Sequence, residues 1–208
     1  MKTVVFAQQK GGAGKTSLCA HLAVAAETTG TRTVLFDTDP QQSLADWWRA
    51  RESDAPDLAA ATLDELPGKL KALAGAKYKL ALVDTPGADT PSVAAVIALA
   101  DLVLIPLRPS PHDLRALSQT LATVRASGKP FRFVLNGVNT RSRLTAQAVA
   151  ALSEHGAVAP SFISARADFV ASMTDGRTCL ETAPGGPAAA EARALWTYVR
   201  TQLKTLGA

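Results

Sequence analysis

Five short runs of this chain, TVVFA (3–7), TVLFD (33–37), LALVD (80–84), LVLIP (102–106) and RFVLN (132–136), are apolar nearly throughout and do not alternate. A strand with one wet face alternates polar and apolar residues, whereas a strand covered on both faces reads as these do. Between the runs lie helix-length stretches at 15–29, 42–52, 62–75, 91–99, 111–127 and 143–155. That is the spacing of βαβ units, and it predicts an α/β fold of three layers: a mostly parallel, twisted sheet flanked by helices on both faces. Beyond residue 156 the pattern loosens until a Pro/Gly turn feeds a final helix over 187–204, with Ala189, Ala192, Leu195, Trp196 and Val199 on one side. That side is expected to pack on the sheet. At 208 residues and 47% hydrophobic, without repeat or low-complexity linker, the chain is expected to form one domain over 1–208.

Charge is unevenly spread. Residues 1–100 hold ten Lys/Arg against eleven Asp/Glu, while residues 101–208 hold twelve against seven, so the excess of basic groups lies in the second half and points to an anionic partner there. Cys19 and Cys179 are far apart and lack metal-ligand spacing, which argues against a disulfide framework or a thiolate metal site. The start, MKTVVFAQQKGG, has too short an apolar run for a signal peptide, and no stretch is long enough to cross a bilayer. A cytoplasmic protein is expected.

The first run leads directly into QQKGGAGKTS (8–17) and then into the first helical stretch. Glycines between a strand and a helix let backbone N–H groups turn inward, and the helix N-terminus adds positive potential, which together make a cradle for phosphate oxygens. In such a loop Lys15 reaches the β- and γ-phosphates and the Thr16 hydroxyl binds Mg²⁺. Gln9 stands where a strict G-x-x-x-x-G-K-[ST] pattern has its first glycine, yet Gly11, Gly12 and Gly14 keep the loop flexible. LALVDTPG is a hydrophobic strand ending in Asp84, the pattern that delivers one carboxylate to Mg²⁺, and Thr85-Pro86-Gly87 then reads as a switch-like loop near the γ-phosphate. FDTDPQQS places Asp37 at a strand end and Asp39 two residues on, at the sheet edge where folds of this class bind ligands.

KGGAGKTS resembles the deviant Walker A motif of the ParA/MinD family of P-loop ATPases, whose mark is a lysine just before paired glycines; Lys10 matches it. The likeness extends over nearly the whole chain, through the D-x-D-P-Q segment at Asp37, through LVLIPLRPSPHDL and through GRTCLETAPGGPAAAEARALW, and is nearest to short plasmid-type ParA proteins. It implies that Lys10, Gly11, Gly12, Ala13, Gly14, Lys15, Thr16 and Ser17 bind ATP, with Asn136 and Pro184 bordering the adenine. It implies a homodimer that encloses two nucleotides, each Lys10 crossing to the other subunit's phosphates as an arginine finger does. Asp39 would position the attacking water, making Lys10, Lys15 and Asp39 the catalytic set, and Thr16, Asp37 and Asp84 would serve the Mg²⁺.

The resemblance further implies non-specific binding of duplex DNA by the ATP dimer, a nucleoid association, and release through hydrolysis stimulated by a centromere-binding, ParB-type partner. Arg141, Arg143, Arg166 and Arg177 are the candidate DNA contacts. With the first strand beginning at residue 3, no helix-turn-helix for operator binding is expected before it. Membrane association is not expected, since the apolar positions of the last helix are explained by packing. Two other functions share the loop: a MinD-like membrane-associated positioning ATPase, and an ATP-dependent metabolic ligase.

Overall fold

The computed structural model describes residues 1–88 and 90–206. Its sheet has seven strands: β1 (Lys2–Phe6), β2 (Thr33–Asp37), β3 (Asp57–Leu58), β4 (Leu80–Asp84), β5 (Leu102–Leu107), β6 (Phe131–Val138) and β7 (Ile163–Ser164). They run in the order β3-β2-β4-β1-β5-β6-β7, and every pairing is parallel. The five apolar runs are the five inner strands, as expected. The outermost strands have two residues each and were not foreseen; they extend the sheet by pairing with β2 and β6. β6 runs two residues past the expected end, through an irregularity at Gly137, whose φ of 64° suits a glycine.

The helices are α1 (Lys15–Thr28), α2 (Ser43–Arg49), α3 (Leu66–Gly75), α4 (Pro91–Ala98), α5 (Pro111–Ala126), α6 (Arg143–Ser153), α7 (Ala167–Ala171), α8 (Cys179–Thr182) and α9 (Pro187–Thr205). Two of them start on a Ser/Thr–Pro pair: Thr90 and Ser110 accept from the amides of Val93 and Asp113, and the following proline occupies the first turn, where no N–H is needed. α3 begins later than expected; ahead of it Thr62 and Glu65 exchange hydrogen bonds and the Leu66 amide donates to the Thr62 carbonyl at 3.0 Å, a capping turn that leads into the helix.

The sheet separates two apolar cores. Side chains of α1, α2, α8 and α9 meet one face, and those of α3, α4, α5 and α6 meet the other. α1 is buried nearly all round, from Leu18 to Ala26, because α9 covers its outer side with Leu195, Trp196 and Val199, and the Trp196 indole donates to Thr29 at 2.9 Å. Register then sets the site: Phe6 lies beside Asp84, and Asp84 beside Asp37. The segments after β1, β2 and β4 therefore leave the sheet side by side at one edge, next to the point where the strand order changes direction.

Candidate nucleotide site

The segment between β1 and α1 turns on Gly12 (φ 73°) and Gly14 (φ 95°), and Gly14 is the residue from which α1 starts. A side chain at Gly14 would also strike the Asn136 amide, 1.9 Å from where a Cβ would lie. Asn136 in turn donates to the Ala13 carbonyl at 2.9 Å and accepts from the Gly137 amide at 3.0 Å, so it supports the loop from beneath.

Lys15 is 8% exposed and its ammonium donates to the Gln8 carbonyl at 2.9 Å, closing the loop upon itself. Burial pulls its pKa below the usual lysine value, against the opposing pull of Asp84 and Asp39. Asp84 is 1% exposed; Oδ2 accepts from the Thr16 hydroxyl at 2.6 Å, while Oδ1 is buried with no partner among the described residues. Burial pushes its pKa up to about 7, with the Thr16 hydrogen bond pulling down and Asp37 adding repulsion. A buried carboxylate oxygen lacking a donor, beside a hydroxyl, fits a hard cation with oxygen ligands, and the lysine nearby fits the phosphate that such an ion accompanies. Among the described residues no three or more His, Cys, Asp or Glu side chains converge, so such an ion would complete its shell with phosphate or water, as Mg²⁺ commonly does.

Asp37 lies beside Asp84, but its two oxygens accept from the amides of Asp39 (3.0 Å) and Ala45 (2.9 Å), which ties the β2 end to the start of α2. Asp39 faces a cleft of about 700 Å³ that is lined by Gly11, Gly12, Gly14, Lys15, Thr16 and Ser17 on the loop side. Its Oδ1 accepts from the Gln41 amide at 2.9 Å. The opposite wall includes Gly87, Val170 and Met173. Gly87 abuts the loop so closely that a Cβ would stand 3.2 Å from the Gln9 carbonyl. Val170, 75% exposed, and Met173 come from the irregular region after residue 156, where no periodic pattern marked them.

Lys10 does not line the cleft. Its ammonium lies 2.7 Å from the buried carboxylate of Asp113 at the start of α5, which also holds the Ser110 hydroxyl. Burial pushes the Asp113 carboxyl up, but the hydrogen bonds from Lys10 and Ser110 outweigh it, so its pKa falls below the usual carboxylate value. Asp113 was within reach of sequence reading only as part of PSPHDL; its partner is 103 residues away. Pro184 is exposed between α8 and α9, and neither it nor Asn136 lines the cleft. Of the four arginines, Arg166 pairs with Glu191 (3.0 Å) and Arg177 with Asp175 (2.5 Å), whereas Arg141 and Arg143 are exposed with no ion pair among the described residues. Arg141, Arg143 and Arg166 follow β6 and β7 at the edge that carries the phosphate loop.

Residues 4–179 match the family described as the CobQ/CobB/MinD/ParA nucleotide binding domain. The chain is 40% identical over 145 residues to the maintenance of carboxysome distribution protein A of Gloeobacter kilaueensis, a match covering 68% of this chain and 65% of that protein. It is 33% identical over 128 residues to the ParA protein of Rhizobium radiobacter, covering 60% of this chain and 56% of the relative. The chain thus spans less than two thirds of the length of either relative. The MinC:MinD cell division protein complex of Aquifex aeolicus shares the fold, with a TM-score of 0.82 at 16% identity over 97% of this chain and 96% of that one.

Proposed function

This chain belongs to the CobQ/CobB/MinD/ParA nucleotide-binding domain family, and from that premise we propose that it is a partition ATPase whose ATP-bound dimer holds DNA and lets go on hydrolysis. ATPase activity in general follows from the family. The observation that carries the nucleotide reading is the buried Asp84 carboxylate, hydrogen-bonded to Thr16 and lying beneath a glycine loop that starts a helix. In this reading Lys15 and the amides of residues 11–17 hold the phosphates of ATP, and Thr16 and Asp84 hold Mg²⁺, with Asp37 supporting that shell by its charge. The ion would neutralise charge on the phosphates. Asp39, on the cleft wall with one oxygen left over from its turn, positions the attacking water.

Lys10 supports the dimer. In this reading Lys10, held at Asp113 and outside its own cleft, would serve a second subunit's nucleotide once released. For DNA, Arg141 and Arg143, which have no ion pair among the described residues, are the leading contacts, and Arg166 and Arg177, each shared with a carboxylate, the lesser ones. A ParB-type adaptor would stimulate release, and the protein would act in the cytoplasm on the nucleoid. The apolar side of α9 is taken up by the core, and no helix among the described residues is long and apolar enough to cross a membrane; the first fact supports a membrane-free reading over the MinD-like one.

A mobility-shift series on unspecific duplex with ATP, ADP or no nucleotide tests this. Retardation under ATP alone, lost steeply with added salt, is expected; its absence at low salt would sink the partition reading, and ATP-dependent liposome binding instead would favour the MinD-like one. Asp39→Ala should keep ATP and accumulate on DNA. Cargo is a separate matter. The relative at 40% identity is named for carboxysome distribution, which favours a protein assembly as cargo beside a plasmid or chromosome region.

A further inference from the structure

Two polar side chains are buried where α5 crosses the entrance of the phosphate loop. Gln8 and Thr120 are each 2% exposed, and Thr120 shares its helix face with the apolar Leu117, Leu121 and Val124. Such burial is costly unless every group finds a partner. Here each does. The Gln9 amide donates to the Thr120 hydroxyl at 3.2 Å, and that hydroxyl donates to Gln8 Oε1 at 2.9 Å. Gln8 Oε1 also accepts from the Lys10 amide at 3.4 Å, and Gln8 Nε2 donates to the Pro106 carbonyl at 3.3 Å. The Gln8 carbonyl is the acceptor of Lys15.

Asp113 and Thr120 are two helical turns apart and so lie on one face of α5. One takes the Lys10 ammonium and the other takes the backbone just before it. Lys10 is thereby fixed at both ends, its amide through Gln8 and its head through Asp113. We propose that Thr120 and Gln8 are positioning residues for Lys10: their buried hydroxyl–amide relay sets how residues 8–10 stand against α5, and with it where the Lys10 ammonium is delivered. Neither residue faces the cleft or touches a phosphate-binding group other than through the loop's own backbone. The consequence for hydrolysis rests on the reading that Lys10 acts in it.

Thr120→Val keeps the shape of the side chain but strands the Gln9 amide and one Gln8 lone pair, and Thr120→Ser keeps the hydroxyl. At saturating ATP, with stimulating DNA and partner held constant, Thr120→Val should hydrolyse about tenfold more slowly while ATP affinity stays within about threefold, and Thr120→Ser should recover the rate. Gln8→Met, of similar length, removes the relay from the loop side and should lose rate equally; it stands in if Thr120→Val folds poorly. A wild-type rate in both Thr120→Val and Gln8→Met, a serine variant as slow as the valine one, or ATP affinity falling in step with rate would overturn the proposal. A second readout needs no turnover: with lysines reductively methylated with ¹³C, the Lys10 resonance, assigned through Lys10→Arg, should move in Thr120→Val and return in Thr120→Ser. If it moves in a protein that hydrolyses no ATP, the ATPase reading fails and the positioning role stands; if it does not move, the positioning role fails.

Discussion

At its α1 end the phosphate loop is held by β4, through Thr16 and the buried Asp84, with Lys15 desolvated and turned back onto Gln8. At its β1 end it is held by α5, through Asp113 and Thr120, with Lys10 half-exposed and already neutralised. The first end gathers charges that have few protein partners and therefore gain most from a phosphate and a cation. The second end spends its charge within the protein and must give up a bond before acting elsewhere. In the proposed reading, one loop thus carries a binding end and a gated end.

Substituting the two lysines tests that division most severely. Lys15→Ala should weaken ATP by at least about 100-fold, or about 3 kcal/mol, and abolish the dimer with it. Lys10→Ala should bind ATP within about threefold of the native chain yet fail in partner-stimulated hydrolysis. Titration with a fluorescent ATP analogue separates them, and equal losses would erase the distinction between the ends.

The binding end also rests on His21, in the second turn of α1. Its Nε2 accepts from the Cys179 amide at 3.3 Å, so the proton is on Nδ1, which donates to the Ser17 carbonyl at 2.8 Å; the ring edge meets Phe169. Burial pulls its pKa down to about 4 from 6.5. The folded chain then keeps a neutral imidazole where the unfolded chain takes up a proton, so this stability is present above pH 6.5 and lost as the pH falls toward 4, by up to about 3 kcal/mol. Denaturant melts across that window should show the slope, and His21→Phe should flatten it; an unchanged slope would detach His21 from the acid sensitivity of α1.

The smallest effect belongs to the gate. Asp113→Asn should cost about 1 kcal/mol of stability, the loss of one partly exposed ion pair, while lowering by a few-fold the protein concentration at which the ATP dimer forms. Light scattering with ATP measures it, and unchanged dimerisation would mean that the ion pair restrains nothing.

The binding end was legible, and of the gated end Lys10 was, whereas the partners that hold it, Asp113 and Thr120, were not, for a physical reason. Gly12, Gly14, Lys15 and Thr16 are contiguous, and Asp84 ends an apolar run, so local chemistry alone drew attention to them. Asp113 and Thr120 meet the loop only because β1 and β5 are neighbours and α5 returns across them, a contact spanning more than 100 residues. The inner strands were legible because both faces are buried, while β3 and β7, at two residues, exist by virtue of a neighbour's free edge. Likewise α7 and α8 are too short to show a period, yet α7 and the turn after it bring Val170 and Met173 to the cleft, and α8 brings Cys179 to His21.

The covering of α1 by α9 bears on synthesis. The helix that starts at the phosphate loop has its outer side sealed by Leu195, Trp196 and Val199. While a ribosome has yet to release residues 187–205, α1 presents that side bare, and its buried alanine-rich surface has nothing to lie against. A nascent chain would therefore carry the whole loop sequence before the helix that the loop starts has its outer cover.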